Sequence, residues 1–96
     1  MTDAANKISL FKIVTERDDV IIGLSAATLA EMGGVDAGTV GKALVAQGAL
    51  SAWQYNVGRH EGQLVQVASQ RISVLAHSSV RVEPYHAAFP VMPPVG

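Results

Sequence analysis

All four prolines of this chain, Pro84, Pro90, Pro93 and Pro94, lie close to its C-terminal end. Proline has no amide hydrogen and a fixed φ, so it stops helices and stays out of central strands. Regular structure is therefore expected to be confined to residues 8–85, with residues 1–7 a flexible N-terminus and residues 86–96 an extended arm with polyproline-like stretches. With 96 residues in all, the chain fits a single small domain and cannot fill two cores. Hydrophobic residues make up 49% and charged residues 16%, too apolar and too weakly charged for a disordered tail.

The remaining punctuation divides the chain into elements. Ile8 to Glu16 is rich in β-branched and aromatic residues, with Leu10 and Val14 on one face and Phe11 and Ile13 on the other. Apolar side chains on both faces predict a strand covered from two sides. Arg17-Asp18-Asp19 is a charged turn signal, and Val20 to Leu24 resumes as the second strand of a hairpin. Ser25 is placed to cap a two-turn helix that ends at Gly33-Gly34, and Asp36 to cap a second helix over Ala37–Gln47 that ends at Gly48. Gly38 and Gly41 inside that helix suggest a close backbone approach or an irregular first turn.

The second half alternates as strands do. Trp53, Tyr55 and Val57 alternate with Gln54 and Asn56, which predicts a half-buried strand packing its aromatics against the helices. Gly58 to Gly62 has turn chemistry, and Leu64 to Ala68 follows as a strand. From Arg71 to His77 the residues Ile72, Val74 and Ala76 share a face, and Val80 and Val82 alternate with Arg81 and Glu83. The expected fold class is α+β, in the order β-β-α-α-β-β-β, with a mostly antiparallel sheet of about five strands and two short helices on one face. A ferredoxin-like arrangement would need a second full helix near the C-terminus, where the prolines stand.

Several kinds of chemistry are disfavoured by the residues themselves. The chain has no cysteine, so disulfides, thiolate nucleophiles and cysteine-ligated metals are excluded. Gly33 to Lys42 looks like a phosphate-binding loop but carries Asp36 where the P-loop needs glycine and Ala43 where it needs serine or threonine. A helix-helix connection with small packing residues is the better reading. His60, His77 and His86 have no metal-ligand spacing, so no metal and no cofactor is expected. Ser78 and Ser79 sit in no nucleophile elbow, and adjacent His77 and Ser78 on a strand would face opposite ways. Glu16, Asp18 and Asp19 read as a solvated acidic tip.

Seven basic residues are scattered among eight acidic ones, giving a net charge of −1, so nucleic acid is not an expected partner. No run is long enough to span a membrane, and the polar start lacks a secretory pattern, so the expected location is cytoplasmic. What remains is surplus apolar surface. The arm, with Phe89, Val91, Met92 and Val95, has no obvious intramolecular strand to join. The expectation is a non-catalytic protein-interaction module, an accessory or structural subunit of a homo- or hetero-oligomer. Its interface candidates are Trp53, Tyr55, Phe89, Val91 and Met92. The alternative is a small-molecule-binding or enzymatic domain with its pocket at a subunit interface, lined by Trp53, Tyr55 and His77.

Overall fold

The computed structural model describes residues 7–76 and 79–94. The expectations for His77, Ser78 and Val95, and for residues 1–6, lie outside them. The element order is β1 (Ile8–Val14), β2 (Asp19–Ser25), α1 (Ala26–Met32), α2 (Ala37–Gln47), β3 (Ala49–His60), β4 (Gln63–Leu75) and β5 (Arg81–Pro84). All paired strands are antiparallel, in the sheet order β4-β3-β2-β1-β5. The fold is thus the α+β arrangement that the sequence predicts.

Both helices form where their caps stand. The Ser25 hydroxyl accepts the Thr28 amide at 3.1 Å, and α1 ends on left-handed Gly33. Asp36 Oδ1 accepts from both the amide and the hydroxyl of Thr39, at 2.8 and 2.7 Å, and α2 ends on left-handed Gly48. Those hydrogen bonds, side chain first, hold the Asp36 carboxyl below its usual range. Its carboxylate occupies the start of α2, as expected of a helix-helix connection. Gly38 and Gly41 do not mark a close backbone approach: the nearest atom to a methyl group at residue 41 would be Val82 Cγ2 at 4.0 Å, an ordinary contact.

The C-terminal strands differ from expectation in two ways. First, the turn is shorter: Gly58 to His60 belong to β3, and the reversal is made by Glu61 and Gly62 alone, with φ of 51° and 81°. Two positive φ values match the right-handed twist of a two-residue hairpin. Second, residues 64–68 and 71–75 form one strand, with a bulge that places Gln54 opposite Gln70 and Tyr55 opposite Ala68. The extra residue, Ser69, is held there because its hydroxyl donates to the Gln54 carbonyl at 3.1 Å and accepts from Asn56 Nδ2 at 2.8 Å.

The core is one-sided. Phe11, Ile13, Ile22, Leu24, Leu50, Ala52 and Val74 of the sheet pack with Leu29, Val40 and Leu44 of the helices. The sheet curls around this cluster, since Ile13 of β1 and Val20 of β2 line the same cleft as Ile72 and Val74 of β4, which is three and two strands away in the order. Only two residue pairs, Ile22↔Gln54 and Gly23↔Trp53, join β2 to β3 at the bend. Leu10 is buried outside the core cluster, on the opposite, convex face, so β1 is covered from both sides as expected.

Two substitutions test these packing statements. A methyl group on Gly23 would overlap the Tyr55 ring and approach Ile8 Cγ2 at 2.9 Å. Gly23→Ala should lower stability by roughly 2–3 kcal/mol. Gly41→Ala meets only the ordinary contact with Val82 and should stabilise by up to about 1 kcal/mol, the helix-propensity difference. Thermal or urea melts of the two variants would give opposite signs.

Candidate interaction surface

Successive residues of a strand point to opposite faces. Gly23 and its partner Trp53 therefore lie on the convex side, away from Ile22 and Leu24. Tyr55, two residues on, shares that side, whereas the helix-facing residues of β3 are Leu50 and Ala52. The expectation that Trp53 and Tyr55 pack against the helices is thus corrected. A two-residue period gives the grouping of side chains but not which of the two faces the helices cover.

What covers Tyr55 is the C-terminal arm. The Gln66 amide donates to the Pro90 carbonyl at 2.8 Å, and the Met92 amide donates to the Gln66 carbonyl at 2.9 Å. These bonds form a parallel bridge between Gln66 and Val91. The Tyr55 hydroxyl donates to the Met92 carbonyl at 2.7 Å, and the tyrosine is 1% exposed. The premise that the arm lacks an intramolecular strand to join is therefore wrong: it joins the outer edge of β4. Phe89, Val91 and Met92 are each half-buried, so the three arm candidates are partly used within the chain.

Gln66 itself is 3% exposed, and its side-chain Oε1 has no hydrogen-bond partner among the described residues. A buried, unpaired carbonyl oxygen costs about 1–3 kcal/mol. That cost offsets part of what the arm's hydrogen bonds contribute, at roughly 0.5–1.5 kcal/mol each.

Beyond Met92 the arm continues along the convex face. Pro93 and Pro94, with Ile8, Gly23, Trp53 and Arg71, line an open cleft of about 350 Å³. Trp53 and Arg71 are cross-strand partners, and the guanidinium carbon lies 5.5 Å from the ring centroid, within cation-π range. At the other end of the same face, Val57 and Leu64 are 52% and 40% exposed. Val57 is the cross-strand partner of Gln66, and Leu64 of Arg59, which places both beside the arm. The convex face is thus an interrupted apolar stripe from Trp53 through the arm to Leu64.

The other sequence candidates do not converge on a site. His60 pairs with the adjacent Glu61 at 3.0 Å on the exposed hairpin tip, and His86 lies in the arm. Among the described residues no group of three or more metal-ligating side chains comes together. Glu16, Asp18 and Asp19 are exposed, and Asp19 pairs with Lys12 at 3.4 Å. No helix of the described residues is long and apolar enough to cross a membrane. No protein-family model, curated protein or solved structure matches the chain.

Burial pushes the Tyr55 phenol above its ordinary pKa of about 10. A raised folded-state value means the folded chain holds the proton more tightly than the unfolded one. The associated stability is complete below pH ~10 and is lost as pH rises through the raised value. Tyr55→Phe keeps the ring over Gly23 but removes the bond to Met92. Melts should show a loss of about 1 kcal/mol at neutral pH. The alkaline fall in stability should be shallower in the variant, and amide exchange at Met92 should be faster.

Proposed function

We propose that this chain is a non-catalytic protein-interaction module, an accessory or structural subunit in a homo- or hetero-oligomeric assembly. The observation that carries this reading is the apolar stripe on the convex face. Trp53 stands half-buried at one end of it, and Val57 and Leu64 face solvent at the other. Aromatic side chains beside an exposed arginine are the composition of interface anchors, and Arg71 lies over Trp53.

A second reading rests on the cleft beside Trp53. Its volume of about 350 Å³ falls at the lower end of the range for small-molecule sites. The polar groups beside Trp53 are the Arg71 guanidinium and the hydroxyls of Ser25, Thr28 and Ser51, which would suit a small anionic, flat ligand. Tyr55 does not line this cleft, because its ring and hydroxyl are engaged by Gly23 and Met92.

The two readings separate experimentally. Val57→Lys with Leu64→Lys places charges on exposed positions, so the melting temperature should hold while association is lost. Light scattering at rising concentration, and capture from native extract with the wild-type and doubly substituted chains as bait, would read this. A wild-type chain that stays monomeric and captures nothing that the substituted chain does not would overturn the interaction reading.

A further inference from the structure

The convex face holds an extended, proline-flanked segment in the manner of a peptide receptor. From this geometry we infer that the groove formed by Gln66, Tyr55 and Trp53 binds a proline-containing extended segment of a different protein, and that the chain's own residues 90–94 occupy it as an intramolecular competitor. The inference rests on the interaction reading and names the chemistry of the partner.

Three features define what fits. The main chain of Gln66 clamps one residue of the segment from both sides, accepting from residue 92 and donating to residue 90. That rung reads no side chain, as in strand addition at a sheet edge. The Tyr55 hydroxyl then donates to the carbonyl of Met92, the residue that immediately precedes Pro93-Pro94. A residue before proline is held extended by its neighbour's ring, so this carbonyl is presented in a fixed direction. Finally, the two prolines reach the cleft beside Trp53, an aromatic surface of the kind that docks polyproline conformations.

The same geometry decides between a second copy and a foreign partner. A second copy would bring the same arm and make the same contacts. It would compete against a tethered arm whose effective concentration is on the order of millimolar. Exchange between copies therefore gains nothing until the protein itself is that concentrated. A foreign segment can do better, because the described residues of the arm leave about 350 Å³ open beside Trp53, Pro93 and Pro94. Arg71 flanks that space with an exposed guanidinium. The fitting segment is thus apolar up to a proline pair and carries an acidic residue after it.

The test uses the full chain and a synthetic peptide with the sequence of residues 88–94 followed by glutamate. Trp53 is the single tryptophan and lines the cleft, so its emission reports occupancy directly. Met92→Pro in the chain removes the amide that donates to Gln66 and loosens the tethered arm. This variant should bind the peptide about tenfold more tightly than the wild-type chain. Replacing the peptide's proline pair by alanine, or its glutamate by lysine, should weaken binding several-fold. Should the Met92→Pro chain fail to fold, the wild-type titration with these three peptides decides by their order of affinity.

Unchanged Trp53 emission with every peptide would overturn the inference, as would equal binding of the alanine and proline peptides. The chain has no cysteine, so Gln66→Cys and Val91→Cys chains can be mixed and oxidised. A disulfide-linked heterodimer would name a second copy as the occupant and overturn the assignment to a foreign segment. Loss of self-association in the lysine-substituted chain is read separately by light scattering, so failure of the peptide experiment leaves the interaction reading standing.

Discussion

The ring of Tyr55 rests on β2 at the one place where that strand has no side chain, Gly23. The contact matters because β2 and β3 share only two residue pairs there, and β4 joins the rest of the sheet through β3. Two pairs of backbone hydrogen-bonding groups contribute little by themselves. A buried aromatic contributes much more, through burial of its large apolar surface. Tyr55 thus adds on the convex side the packing that the sparse ladder lacks, while Ile22 and Ala52 supply it on the concave side. A larger residue at position 23 would lift the ring, move its hydroxyl away from Met92 and release the arm in one step.

The two faces of the sheet are closed by different means. On the concave side, α1 and α2 bring Leu29, Val40 and Leu44 into a shared cluster with side chains of β1, β2, β3 and β4. Such packing is cooperative, since each side chain loses its neighbours if a helix leaves. On the convex side the cover is a single extended segment with one bridge and one side-chain hydrogen bond, set against the unpaired Gln66 oxygen. Opening this cover breaks few contacts and need not disturb the helix-side core. Local openings of this kind fall at the low end of a protein's stability range, which is where binding surfaces are found.

The elements that could be read from the sequence are those specified by neighbours in the chain. Ser25, Gly33, Asp36 and Gly48 bound both helices because capping is settled within four residues. Arg17 to Asp19 bound the first hairpin for the same reason, with Thr15 closing the turn onto Asp18. The bulge was also written locally, in a form easily taken for a break. Val65 and Val67 occupy odd positions, Ile72 and Val74 even ones, and Ser69 stands between them. A switch of phase within an otherwise apolar alternation is what one extra residue does to a continuous strand. The side of the sheet taken by Trp53 and Tyr55 and the docking of the arm have no such local signature. Both depend on Gly23 and Gln66, dozens of residues away, and an unbroken two-residue period is equally consistent with either face.

The prolines that exclude the arm from regular structure also explain why it can pair where it does. A parallel bridge at Val91 asks for an acceptor at residue 90 and a donor at residue 92, and for nothing from the amide of residue 90. Proline at 90 meets that requirement in full, since it keeps its carbonyl and lacks only an amide that the bridge does not use. The next rung would need a donor at residue 94, and Pro94 has none. Pairing therefore begins at Pro90 and cannot pass Met92. An edge strand of ordinary composition would present a continuous row of open amides and carbonyls for further pairing with other chains. A segment limited to one rung covers the edge at Gln66 without becoming a new edge, and it turns the chain toward Trp53. The composition that forbids a sixth strand is what lets this segment serve as a removable cover over an aromatic surface.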